Sequence, residues 1–179
     1  MTQFTFHTPD NATAPIKKVF GEIQKTYGFI PNLFAYMAEA PIALEAYLVL
    51  NDLVTKTSLT PAQQQTALLA VSVENECGFC SVAHTAIGKM KKANEQTLNA
   101  LNSKGEVNDP KDHALVKFTR SIVKNRGHLD DTEIQAFLNA GFTKQQIFEV
   151  MLIVAIKTLS NYSNHLTKTE PNKELLAML

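Results

Sequence analysis

The stretch LTPAQQQTALLAVSVENECGFCSVAH, residues 59–84, decides how the chain reads. It opens on Thr60-Pro61 with Gln63 three residues after the threonine, a capping-box pattern with proline at the first helical position. The run TALLAVSVE then continues without glycine or proline to about Glu74 or Asn75, as a buried helix does. Gly78 marks a break or tight entry into a second helix, from about Cys80 to Met90. A helix, a sharp turn and a second helix carrying both cysteines of the chain is the unit from which the rest can be read.

The same signals recur on either side. Pro15 opens a helix with Ile16, Val19, Phe20, Ile23 and Tyr27 at helical spacing, and Gly28 ends it. Pro31 makes GFIPN a connector, and Leu33–Ala40 and Ile42–Val54 follow as two helices parted near Pro41. Asp109-Pro110 starts another, running to about Asn125 and stopped by Gly127. Asp130 with Glu133, and Thr143 with Gln146, repeat the capping box ahead of a short helix closed by Gly141 and a long apolar one to about Asn164. No segment alternates with period two for long enough to demand a strand. The expectation is an all-α bundle of about eight or nine helices in a single domain, 1–179, with residues 1–14 irregular and a redox core at about 60–90.

One internal echo bears on the architecture. Shifted by 81 residues, the 61–84 stretch lies over FTKQQIFEVMLIVAIKTLSNYSNH, with Gln64-Gln65 on Gln145-Gln146 and His84 on His165. That alignment predicts a duplicated helical hairpin in which only the first copy kept cysteines.

Composition excludes several function classes. Lys+Arg and Asp+Glu are each 17 of 179 residues, so the net charge is zero and there is no basic excess for nucleic acid or anionic lipid. A chain 45% hydrophobic and 19% charged is an ordinary folded globule. The N-terminal residues show no basic leader or apolar core, so no secretory signal is expected, and the most apolar run, Ile147–Ile156, contains Glu149 and is about half the length of a membrane span. A cytoplasmic location is expected. The two cysteines, Cys77 and Cys80, are too close in sequence to staple a fold.

Their spacing points to chemistry instead. Two thiols three residues apart at a helix start can form and break a disulfide reversibly. His84, four residues after Cys80, lies one turn along the same face, where an imidazole can take the thiol proton. Glu74 or Glu76 can orient that imidazole. Structural zinc would need a fourth ligand, and c-type haem would need histidine where Ser81 stands, so no metal or cofactor is expected. The alternative is two inert packing cysteines beside a core histidine. His7, His113 and His128 read as surface residues. His165, with Asn161, Tyr162 and Asn164, reads as core hydrogen bonding or a pocket wall.

The 59–84 stretch resembles the signature of the alkylhydroperoxidase D-like group within the carboxymuconolactone decarboxylase superfamily. YGFIPNLFAYMAEAPIALEAYL (27–48) and IFEVMLIVAIKTLSNYSNH (147–165) extend the likeness to a peroxidase-related subgroup. The resemblance implies a helical homo-oligomer whose cysteine pair reduces a hydroperoxide and is regenerated by a thioredoxin-like or lipoyl-type dithiol donor. It implies that Cys80 attacks the peroxide, that Cys77 resolves the product to a disulfide, and that His84 belongs to a relay of acid, histidine and thiol. Two positions depart from the pattern. Gln65 stands where the family has glutamate, and Phe79 where the prototype has a second histidine. Gln65 can hydrogen-bond but cannot act as a base, so Glu74 is expected to substitute for the missing carboxylate. The rival readings are a thiol–disulfide oxidoreductase acting on a partner, or a redox-sensing oligomer without peroxidase turnover.

Overall fold

A computed structural model describes residues 4–179 and contains ten helices and no strand among them. They are α1 (Ala14–Tyr27), α2 (Asn32–Met37), α3 (Pro41–Thr55), α4 (Pro61–Glu74), α5 (Gly78–Met90), α6 (Glu95–Asn102), α7 (Pro110–Asn125), α8 (Asp131–Asn139), α9 (Lys144–Thr167) and α10 (Lys173–Leu176). The all-α reading holds. Residues 4–13 are non-helical apart from a turn, and residues 1–3 of the expected irregular segment lie outside the described residues.

The helix starts are chemically specified. Thr60 with Gln63, Asp130 with Glu133 and Thr143 with Gln146 all form closed capping boxes, each satisfying two backbone donors that the first helical turn leaves free. Gly28 closes α1 at φ 80°, a left-handed conformation that a side chain would disfavour. The two helices without a sequence expectation are short. α6 is capped by Asn94, whose side chain accepts from the backbone of Gln96 and Thr97, and α10 has one turn.

α4 is the axle of the bundle. Every residue from Thr66 to Val73 is buried, and the helix packs against α5, α7, α9 and α6. Helix α9 crosses α4 and also covers α3, α2 and α5. Beside this core, α7 and α8 are pinned by the rings of Phe118, Phe137 and Phe142, stacked at centroid separations of 4.0 and 4.3 Å. Phe137 is fully buried at the centre of that stack. Phe137→Ala is therefore expected to cost about 3–5 kcal/mol of unfolding free energy, checked by urea denaturation, because the cavity it leaves cannot refill from solvent-facing groups.

The repeated hairpin is not there. Where the first copy breaks at Asn75–Cys77, α9 runs unbroken from Lys144 to Thr167. Helix α4 ends because Asn75 caps it and Glu76 adopts φ 57°, whereas no residue of α9 has positive φ before its C-cap, Lys168. The echo reflects two buried helices of similar composition. Among the described residues no helix is long and apolar enough to cross a membrane.

Candidate redox site

The turn between α4 and α5 sets the cysteines. Glu76 N–H donates to Val73 O (3.0 Å) and Cys77 N–H to Ser72 O (2.9 Å), the paired bonds of a Schellman closure. Cys77 is thus the second residue beyond the C-cap of α4, Asn75, and at once the N-cap of α5. Helix α5 starts at Gly78, two residues earlier than the expected start at about Cys80, so Cys80 lies in its first turn with the positive end of the helix dipole beside its sulfur. Both thiols are free and buried, with Cys77 1% and Cys80 2% exposed.

Helix α9 faces the pair with a buried polar stripe. Lys157, Asn161 and Asn164 are 1%, 0% and 4% exposed and follow one another at helical spacing. Asn164 Nδ2 donates to Cys80 Sγ at 3.2 Å. Asn161 is held by Asn75, whose Nδ2 donates to its Oδ1 at 3.0 Å, and its own Nδ2 turns towards the same sulfur. The Lys157 ammonium hydrogen-bonds to His84 Nε2 at 2.9 Å, and its charge acts on Cys80. Among the described residues no carboxylate pairs with Lys157.

A buried ammonium without a carboxylate needs another anion, and the acidic groups it acts on among the described residues are the two thiols, Cys80 more than Cys77. The hydrogen bond from the Cys77 thiol, and then the charge and hydrogen bonds of Lys157 and Asn161, hold Cys80 down at about 5 against the opposing effect of burial. The Cys77 thiol is pushed up by its role as donor to Cys80 and by burial. Cys80 is the thiolate at neutral pH and Cys77 is the thiol that donates to it.

His84 does not perform the task the sequence suggested. Burial, and then the neighbouring Lys157 charge, push its imidazole well below the ordinary histidine value, so it is neutral. With Lys157 donating to Nε2, the ring proton is assigned to Nδ1, which donates to Gln65 Oε1 at 3.0 Å. Gln65, His84 and Lys157 form a chain ending at Cys80. That chain accounts for the glutamine. The positive charge is already on Lys157, and a carboxylate at 65 would draw a second proton onto the ring beside it.

Glu74 and Glu76 lie elsewhere, and this corrects the expected substitution. Glu74 faces α7, with Arg120 Nε at 3.6 Å and Lys124 Nζ at 3.5 Å. Exposed Glu76 pairs with Lys104 at 3.2 Å. The left-handed turn that places Cys77 carries both carboxylates away from His84. Glu74→Gln is expected to leave the Cys80 titration midpoint unchanged within about half a unit, followed by thiolate absorbance against pH, since neither oxygen reaches the relay. His165 is exposed and stacks on Tyr162 at 6.2 Å, while its neighbours Asn161 and Asn164 are the pocket-facing residues. Lys157 was missed in the sequence. Its signal was a single lysine inside the apolar run Val150–Leu159.

Cys80 opens onto an apolar cavity of about 210 Å³. Tyr27, Phe29, Phe34, Tyr47 and Phe79 wall it, and Gln65, His84 and Lys157 bring its polar groups. Burial, with the Cys80 charge next, pushes the Tyr47 hydroxyl up, so it remains a proton donor there.

Comparison with known proteins fits this arrangement. Residues 41–107, which contain the cysteine pair and His84, match the model of the carboxymuconolactone decarboxylase family. Two solved structures share the fold across nearly the whole chain. A peroxidase-related protein from Ralstonia eutropha JMP134, described as an alkylhydroperoxidase AhpD core, superposes with a TM-score of 0.86 at 23% identity, covering 98% of this chain and 95% of that one. A peroxidase-related protein from Silicibacter sp. TM1040 gives 0.80 at 21% identity, covering 93% and 89%.

The chain has the fold of these AhpD-like structures, and its residues 41–107 resemble the carboxymuconolactone decarboxylase family.

The AhpD-like fold is not tied to one reaction. The debrominase Bmp8, in complex with 2,3,4-tribromopyrrole, superposes with a TM-score of 0.78 at 18% identity, covering 99% and 96%. No curated protein shows a significant sequence match to the chain. The chemistry of its own site therefore decides what this protein does.

Proposed function

We propose that the protein is a thiol-dependent peroxidase. The observation that carries the reading is the Cys80 thiolate, matched to the buried Lys157 ammonium and opening onto an aromatic-walled cavity. The thiolate attacks one oxygen of a hydroperoxide, the O–O bond breaks, and the departing alkoxide takes a proton to leave as alcohol. Lys157, which acts on Cys80 through its charge and is hydrogen-bonded to His84 Nε2, is the proton donor for that step and is reprotonated from solvent, while Gln65 and His84 hold it in place. The Cys80 sulfenic acid then condenses with the Cys77 thiol, releasing water and forming the disulfide. One peroxide and two thiols give one alcohol, one water and one disulfide, and an external dithiol returns the two electrons.

The placing of Cys80 at an enclosed aromatic-walled cavity favours a small oxidant over a protein disulfide docking onto that sulfur. Free buried thiols suit a reducing compartment, in keeping with a cytoplasmic location. Ile42 and Val49 on α3 and Phe148, Tyr162 and Leu166 on α9 are exposed, and α3 packs on α9. An apolar surface of that kind supports a homo-oligomer. Titration of the reduced protein with an organic hydroperoxide tests the peroxidase reading. One disulfide per peroxide is expected, formed faster than by free dithiothreitol under the same conditions, and a rate no greater than that of the free thiol overturns it.

A further inference from the structure

We propose that the cysteine pair is two-sided: Cys80 meets the oxidant from the aromatic cavity, and Cys77 is the sulfur that a dithiol reductant attacks, from a separate groove, with Phe79 as the wall between. The cavity borders Cys80 and not Cys77. A second, wider groove of about 420 Å³ borders Cys77 and not Cys80. Phe79 lines both spaces, and it stands where the sequence departs from the pattern with histidine between the cysteines. The groove runs between the start of α5, at Gly78 and Val82, and the end of α9 with the segment beyond it, at His165, Lys168 and Pro171.

Exchange chemistry favours the same side. The proposal rests on the pair cycling between dithiol and disulfide, as proposed above. A thiolate attacking a disulfide expels the far sulfur along the S–S axis, and the sulfur with the lower pKa leaves faster. Attack on Cys77 from the groove expels Cys80, whose thiolate is received by Lys157, Asn161 and Asn164. Attack on Cys80 would require the reductant to enter the cavity and to expel Cys77, whose thiol has no such reception and is pushed up. The first thiolate of the dithiol forms a bond to Cys77 Sγ, the Cys77–Cys80 bond breaks, and its electron pair leaves on Cys80. The second thiolate of the dithiol then attacks its own partner sulfur, closing the reductant's disulfide and releasing Cys77, which takes a proton from water in the groove. Two electrons pass from the reductant to the pair. Oxidant and reductant therefore need not share one entrance.

The experiment makes the protein disulfide with diamide, so that it does not depend on peroxide. Limited glutathione is added with iodoacetamide to trap released thiol, and the adducts are mapped by mass spectrometry. Glutathione on Cys77 and alkylation on Cys80 is the expected result, and glutathione on Cys80 overturns the proposal. Gly78→Leu supplies the second arm. Gly78 is exposed at the groove, and a Cβ there meets nothing within 4 Å, so the larger side chain fills open space without disturbing the helix start. Reduction of its disulfide by dithiothreitol is expected to slow at least about tenfold while the reduced protein keeps the wild-type thiolate absorbance. Reduction at the wild-type rate overturns the proposal. If diamide forms the disulfide and peroxide does not, the peroxidase reading fails and the two-sided reading is still decided by these two arms.

Discussion

Lys157→Met is expected to raise the titration midpoint of Cys80 from about 5 to above the ordinary thiol value of about 8.5. Among the described residues Lys157 is the one cation that acts on the sulfur, and Met replaces its buried stem with a chain of similar length. Burial, which favours the neutral thiol, then acts with no ammonium against it. The sign is that of an acid whose folded pKa is depressed: the thiolate of the wild type is populated as pH rises through about 5, and in the variant only as pH rises through the higher midpoint. At pH 7 the thiolate fraction falls from nearly all of the protein to about 3% or less. The rate with peroxide falls by a smaller factor, because a thiolate of higher pKa is intrinsically more nucleophilic and partly offsets the lost population. Thiolate absorbance against pH is therefore the readout. A midpoint that stays below 6 in Lys157→Met would remove the lysine from the account.

Cys80→Ser is expected to abolish peroxide consumption altogether, while Cys77→Ser keeps a single turnover. Serine cannot become an anion near neutrality, and the Cys77 thiol left behind is buried and lacks the three donors that face Cys80. In Cys77→Ser the Cys80 sulfenic acid has no internal partner, so one equivalent of peroxide is reduced and the cycle stops. Peroxide loss measured at one equivalent, with the sulfenic acid trapped on Cys80, checks both variants together. Consumption of peroxide by Cys80→Ser at the wild-type rate would reverse the roles of the two sulfurs.

The parts of the molecule that were legible in the sequence are those fixed by local chemistry. Capping boxes at Thr60, Asp130 and Thr143 and the glycine stop at Gly28 are written into a few consecutive residues, and the structure closes each of them as read. The cysteine pair and its distance to His84 along α5 are equally local. What was not legible is the content of α9, which lies 73 residues from His84 and 84 from Cys80 at the two contacts that matter. A lone lysine in an apolar run gives no hint of which buried acid it meets until the helices cross. The same long-range geometry decided the carboxylates. Glu74 looked well placed because it is near in sequence, but its position on α4 faces it to Arg120 of α7. Local reading also misjudged the 81-residue echo, since buried helices resemble one another whether or not they turn.

The central claim is that a Cys80 thiolate, held by Lys157 and donor groups of α9, is the group that reduces peroxide. The rate of thiol loss from the reduced wild-type protein with an organic hydroperoxide, measured from pH 4 to pH 9, tests it most directly. The account predicts a rate that rises with a midpoint near 5 and is level by pH 7, well above that of a free thiol there. A profile that climbs through pH 8–9 like an ordinary cysteine, or a plateau no higher than free thiol, would contradict it.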